Sequence, residues 1–254
     1  MISTSERQRV FIDADLLAHP VSRSLILFTS LFPDTSFRAC WSLAAEAEAD
    51  AALATQWQRT VSAGGEGRSR PLEVAALRGN PASSDWAEQV LVVDATVEDM
   101  ATLVDTSQTD RHVLAAAGAA GCRVVVTQNV RDFGRTDLDR LGIVAVCPDV
   151  FLSVMVSGAA YRFALESIAA GRSREPNTPA AIHQALGRSH PHLVAEFADE
   201  FPGVVPDHAQ NQPAEVFRGS HCVVCGKDIH DPESMRSGIG PECRAGAGDS
   251  MTRE

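Results

Sequence analysis

Lysine is almost missing from this chain: of 22 basic residues all but Lys227 are arginine. Any chemistry that needs a lysine inside the fold must use Lys227 or do without one. Long apolar runs are missing too. Nothing approaches the ~20 apolar residues that a membrane helix requires, and the opening MISTSERQRVF has no secretory apolar stretch, so a cytoplasmic protein with no membrane partner is expected. Positive charge is scarce as well. A net charge of -11 argues against gripping nucleic acid over the whole surface, because phosphate contacts rely on positive fields, but it leaves room for a local basic rim. Six cysteines in 254 residues are too dispersed for a disulfide scaffold. Three of them, Cys222, Cys225 and Cys243, crowd into the C-terminal tail, which points to metal.

With 44% apolar residues the chain can fold around a core of ordinary size. A strand is expected from Arg9 to Leu17, a helix from Val21 to Phe32, and a short strand or entry segment over Phe37–Trp41. SLAAEAEADAALATQW, from Ser42, is strongly helix-forming, and SAGGEGRSRP (62–71) reads as a turn-rich break. QVLVVDAT (89–96) reads as a strand and VEDMATLVDTS as the helix after it. TDRHVLAAAGAAG should be a helix with Thr109 as N-cap, closing at Gly121. CRVVVTQN (122–129) and IVAVCPD (143–149) complete the strands, with a short helix from Thr136 to Leu141 between them. Strands alternating with helices predict an α/β fold, a parallel sheet covered on both faces. Beyond Phe151 the pattern turns helical, from Leu152 to Ala170 and again in PAAIHQALGRSHPHLVAEFADEF. The Pro-rich 202–216 reads as a linker. The expected organisation is 1–152, a helical extension 153–201, the linker, and a small unit over 217–247.

The stretch VFIDADLL (10–17) places two aspartates where an apolar strand ends, the position at which open α/β sheets bind ligands. Two chemistries use such an aspartate. A phosphotransferase with nucleophile and acid two residues apart would use both Asp13 and Asp15, with Thr127 as its later hydroxyl. It would also need a basic residue at the sheet, usually lysine, and Lys227 sits in the cysteine tail. A metal-dependent nuclease would use Asp13 as a ligand, and further acids recur at element edges: Asp110 opens a helix and Asp132 follows a strand. Carboxylates ~4 Å apart repel by about 4 kcal/mol at an effective dielectric of 20, and a divalent cation relieves that. Oxygen-only ligands suit Mg²⁺ or Mn²⁺. Each acid also has an ordinary use: Asp110 at a helix start, Asp132 in a turn, Glu46, Glu48 and Asp50 on a solvated helix face.

VFIDADLL, FRACWSLAAEAEAD, DRHVLAAAGAAGCRVVVTQNVRDF and GIVAVCPDVFL, in this order, resemble the PIN-domain ribonucleases, including toxins of the VapC type. The resemblance spans roughly residues 8–152, and PNTPAAIHQAL…HLVAEF resembles the helical extension of a bacterial PIN subgroup. It implies a PIN-like three-layer α/β/α domain and hydrolysis of RNA phosphodiesters by a metal-activated water. The acids it implies are Asp13, Asp110 and Asp132, with Asn129 as a polar neighbour and Asp15 in support. For the second acid it selects Glu48, seven residues after Trp41 and five before Leu53. Helical spacing puts Leu43, Glu46, Asp50, Leu53 and Trp57 on one stripe, which turns Glu46 toward the core and keeps it in reserve. Arg111, Arg131 and Arg135 stand near the acids and could pair with an RNA backbone. An antitoxin protein and a homodimer are the partners such a family implies. The competing expectation is an inactive PIN scaffold that binds RNA or a protein through its tail.

In the tail, SHCVVCGKDIHDPESMRSGIGPECRAG carries C-x2-C-G, a seventeen-residue gap and Cys243. The glycine permits the tight bend that turns both thiolates toward one ion, and GIGPEC supplies the third. The segment resembles a small zinc-binding module of the form CxxCG…DPES…GIGPxC. A structural Zn²⁺ wants four ligands, for which His230 is the favoured fourth and His221 the alternative. Cys40, Cys122 and Cys147 read as buried thiols.

Overall fold

The computed structural model describes residues 7–62, 91–92, 94–172, 174–208 and 215–249. The expected break at 62–71 falls almost wholly outside them. Among the described residues one six-stranded sheet runs in the order β3-β2-β1-β4-β5-β6. Its strands are β1 (Gln8–Ile12), β2 (Phe37–Trp41), β3 (Leu91–Val92), β4 (Val124–Val126), β5 (Val144–Val146) and β6 (Phe217–Arg218). The first five are parallel and β6 is antiparallel to β5. Val124–Val126 and Val144–Val146 are buried throughout, as expected of β-branched strands covered on both faces.

Several elements differ from the sequence expectation. The first strand stops at Ile12 and does not continue to Leu17. Asp13 accepts the Ala14 N–H at 2.7 Å, so Ala14–Leu17 turns into a short helix, α1. Pro at its first turn starts α2 (Pro20–Leu31), and α3 (Leu43–Ser62) follows β2. The helix after β3 is short, α4 (Val97–Ala101), fixed by a reciprocal Thr96–Asp99 capping box. In α5 (Arg111–Ala119) the N-cap position belongs to Asp110 and not to Thr109, whose hydroxyl donates to Asp110 Oδ2 at 2.8 Å. Next come α6 (Arg135–Leu141) and α7 (Pro148–Met155). The expected helix over Leu152–Ala170 is divided: Ser157 caps a new helix, α8 (Gly158–Ala170), by accepting from the Ala160 N–H.

α8 packs on α2 and α10 (Pro191–Glu196) on α7, with α9 (Pro179–Leu186) against both α8 and α10. Tyr161, Ile182, Leu186 and Leu193 thereby share one core with Phe11, Val125 and Phe151. Asp149 ties this region to α7 by accepting the His192 and Leu193 N–H groups at 3.1 and 2.9 Å. His190 is fully enclosed beside Ser22, and burial lowers its pKa to about 4. The tail is joined to the sheet: Phe217 pairs with Val146, and Arg218 donates to the carbonyls of Arg131 and Phe133 at 3.0 and 3.1 Å. It ends in α11 (Pro232–Ser237) and α12 (Pro241–Asp249).

Candidate functional site

The strand order reverses between β1 and β4, since the chain builds β2 and β3 on one side of β1 and then returns to its other side. Crossovers diverge at such a point and leave a crevice at the carboxyl ends of the two strands. Asp13 stands there, directly after β1, with its N–H on the Val126 carbonyl of β4 at 3.1 Å. Thr127 and Gln128, directly after β4, face it. Asp15 Oδ2 accepts the Gln128 N–H at 2.9 Å and the Thr127 hydroxyl at 3.2 Å.

The acids at this crevice are held against their charge. Asp13 is 4% exposed. Burial first, then the charges of Asp15 and Asp110, raise its pKa well above the usual carboxylate range, against hydrogen bonds from Thr127 and the Ala14 N–H. Burial likewise raises Asp15 to about 6, opposed by its bonds from Gln128 and Thr127, with Asp110 adding repulsion. Asp15 Oδ1 is buried and has no hydrogen-bond partner, and such an atom ordinarily costs about 1–3 kcal/mol. The Asp110 side chain makes no cap bond to its own helix and accepts instead from the Thr109 hydroxyl. All of these donors are oxygens, and the charges of the three carboxylates disfavour one another, but the three are not drawn within 4.8 Å of one another.

The remaining expected acids are placed differently. The Glu48 side chain is 60% exposed and lies 3.5 Å from His112 Nε2, on the helix that Asp110 opens. Glu46 is 4% exposed and accepts from the Trp41 indole N–H at 3.0 Å, as its helical stripe predicts, although Leu43 on the same stripe is 45% exposed. Asp132, in the 3-10 turn Val130–Asp132, is exposed and its charge is felt by Arg218. Asn129 is exposed, its N–H on Thr127 Oγ1 at 3.0 Å. Of the arginines, Arg111 Nε donates to the Thr106 carbonyl at 3.3 Å, Arg131 lies 3.8 Å from Glu215, and Arg135 lies 3.7 Å from Asp139.

Nothing in the local sequence pattern singles out Asp137. It is fully buried and accepts N–H groups from Val104, Asp105 and Thr106 at 2.9–3.1 Å. Burial disfavours its charge, but these donors outweigh that and lower its pKa. In return Asp105 accepts from the Thr136 and Asp137 N–H groups at 3.0 and 3.1 Å. The clamp passes so close to Gly134 that a Cβ there would lie 2.1 Å from Asp105 Oδ1. It fixes the loop leading to Asp110.

At the other end of the chain, Cys222, Cys225 and Cys243 bring their sulfurs within 4.8 Å of one another. Among the described residues this is the one such group of three or more histidine, cysteine or carboxylate side chains, so the acids at the crevice are more loosely gathered. Gly226 takes φ +72° and lets the chain fold back, with its N–H on the Cys222 carbonyl at 2.8 Å. Burial opposes the Cys222 thiolate, yet N–H groups of Gly240, Cys225 and Val224 hold its pKa below the usual thiol value. Cys243 is pushed up to about 12 by burial and the neighbouring thiols. Three thiolates cannot share this space without a cation, and a metal ion is what deprotonates such a set. The cluster can therefore hold a metal such as zinc. Neither His230 nor His221 belongs to it. Cys40, Cys122 and Cys147 are buried and free.

Residues 212–248 match a family of unknown function, DUF6011. No curated protein and no solved structure matches the chain. The match encloses all three clustered cysteines and stops short of the acids. No described helix is long and apolar enough to cross a membrane.

Proposed function

We propose that the chain is a PIN-like, Mg²⁺- or Mn²⁺-dependent endoribonuclease whose C-terminal thiolates carry a structural Zn²⁺. The observation that carries the nuclease reading is the unpartnered, buried Asp15 Oδ1, beside two further carboxylates at the switch point of the sheet. Asp13 and Asp110 would hold the ion, and Asp15, anchored on Gln128 and Thr127, would orient it or join it through Oδ1. The bound ion supplies a water of lowered pKa and charge stabilisation for the phosphodiester in flight. Glu48 and Asp132, exposed on either side, would engage from the rim once an ion and RNA are present. Arg111 and Arg131 stand beside Asp110 and Asp132 in the chain and are the residues to pair with the RNA backbone.

The test is cleavage of single-stranded RNA with Mn²⁺ against EDTA, for the wild type and Asp13→Asn. The wild type should cut only with metal, and the variant should not. A metal-independent wild type, or a variant as active as the wild type, removes the nuclease reading. The loose gathering of the acids favours a second reading, an inactive scaffold that binds RNA or a protein partner such as an antitoxin. Wild type that retains RNA in a filter assay but never cuts it would select that reading.

A further inference from the structure

We infer that the metal held by Cys222, Cys225 and Cys243 keeps its fourth position open to an exogenous neutral donor, water at rest and imidazole-type nitrogen when offered. The inference rests on the thiolate centre holding a metal and is independent of any activity toward RNA. Sequence spacing offers two histidines for that position, and the structure turns both away. His221 has each ring nitrogen engaged, Nε2 on Asp228 Oδ1 at 3.1 Å and Nδ1 on Ser220 Oγ at 3.2 Å. The Ile229 N–H is fastened to the Ser220 carbonyl at 2.8 Å and its side chain is buried, while His230, the next residue, is exposed. Among the described residues, what the thiolates face is a cavity of about 130 Å³, which Lys227, Asp228 and Glu242 also line and neither histidine reaches.

Charge selects the donor. Three thiolates and a divalent ion leave one net negative charge. Lys227 and Glu242 cancel in their pair at 2.6 Å, and Asp228 adds a further negative charge at the cavity. A second anion would meet repulsion from both, so a neutral donor is favoured. Asp228 is itself occupied by His221 and is not within 4.8 Å of the three sulfurs. Three protein ligands and one exchangeable position are a known zinc arrangement, and here the ion would hold the small unit together while keeping that position exchangeable.

The experiment loads the full chain with Co²⁺, whose visible spectrum reports coordination, and titrates imidazole. A saturable shift of the d–d bands is expected. His230→Ala and His221→Ala should bind Co²⁺ within about twofold of the wild type, while Cys225→Ser should lose at least tenfold, as expected when a ligand itself is removed. A cobalt spectrum that imidazole leaves unmoved, or a tenfold loss in either histidine variant or in Asp228→Asn, overturns the open position while leaving the metal centre standing. Failure of the wild type to bind Co²⁺ or Zn²⁺ overturns both. Far-UV circular dichroism of each variant separates a lost ligand from a lost fold.

Discussion

The two ends of this chain gather their polar groups by opposite routes. At the sheet, Asp13 and Asp15 feel the charge of Asp110 across almost a hundred residues of sequence, because the chain leaves β1 and returns beside it. In the tail, Cys222 and Cys225 meet through one tight turn at Gly226, and Cys243 comes back on a short segment held by the Gly240 N–H at 3.2 Å from Cys222 Sγ. The first site is built by topology and keeps its charges under repulsion, with one oxygen unpartnered. The second is built locally, and backbone donors already favour a thiolate. On the reading proposed above, oxygen ligands on a rigid sheet suit an ion that comes and goes with substrate, and sulfur ligands on a small unit suit an ion that belongs to the fold.

The widest separation between the two should come from Asp13→Asn. It is expected to lower Mn²⁺-dependent RNA cleavage by at least about a hundredfold, by analogy with losing a key electrostatic group in an active site, and to leave zinc content by mass spectrometry unchanged. Loss of zinc in this variant would mean that the two ends are one cooperative site. Cys222→Ser is the reciprocal variant. It should reduce zinc affinity at least tenfold and increase hydrogen exchange over 217–249, with cleavage kept within a few-fold. A collapse of cleavage would show that Arg218, on the carbonyls of Arg131 and Phe133, transmits the state of the tail to the turn that carries Asp132.

Asp15→Asn probes the cost of burying that charge, to which Asp110 adds a smaller repulsion. The folded pKa of about 6 lies above the ordinary value of 3.8, so the charged form is penalised in the fold. The penalty is full above pH 6, fades as pH falls through 6, and is gone below 3.8. A shift of two pKa units corresponds to about 3 kcal/mol, so in EDTA at pH 7.5 the variant should be more stable than the wild type by up to that amount in urea unfolding. At pH 4.5 the difference should shrink, and Mg²⁺ should narrow it at pH 7.5 by stabilising the wild type. A variant less stable than the wild type at pH 7.5 in EDTA would mean that the two hydrogen bonds of Asp15 outweigh its burial. The smallest effect expected in the series is the contrast between Glu48→Gln and Glu46→Gln. The first should slow cleavage several-fold with stability unchanged, and the second should reverse that pattern, because Glu46 is committed to the Trp41 indole.

Much of the sheet was legible. Runs such as VFI and VVV are apolar because both faces of a parallel strand are covered, and glycines mark the returns at Gly121 and Gly142, both at positive φ. Ends were less legible: Asp13 captures the next N–H and stops β1 five residues early, a choice between strand and cap that local composition does not resolve. In the acidic site, Asp13 and Asp110 were marked by position, and Asp15 was given only a supporting place. Its unpartnered oxygen depends on how Thr127 and Gln128 approach from a strand more than a hundred residues away. The thiolates were marked in full by spacing, yet the histidines offered with them were not screened by it, since spacing says what can reach a metal and not what else engages the ring.

The amino-acid sequence by itself determined the parallel α/β architecture and the cysteine cluster, because side-chain periodicity and a C-x2-C-G turn act within a few residues of one another. Only the tertiary structure decided which carboxylates repel each other and which oxygen is left without a partner. Those are properties of burial and approach, set by distant segments that no local pattern records.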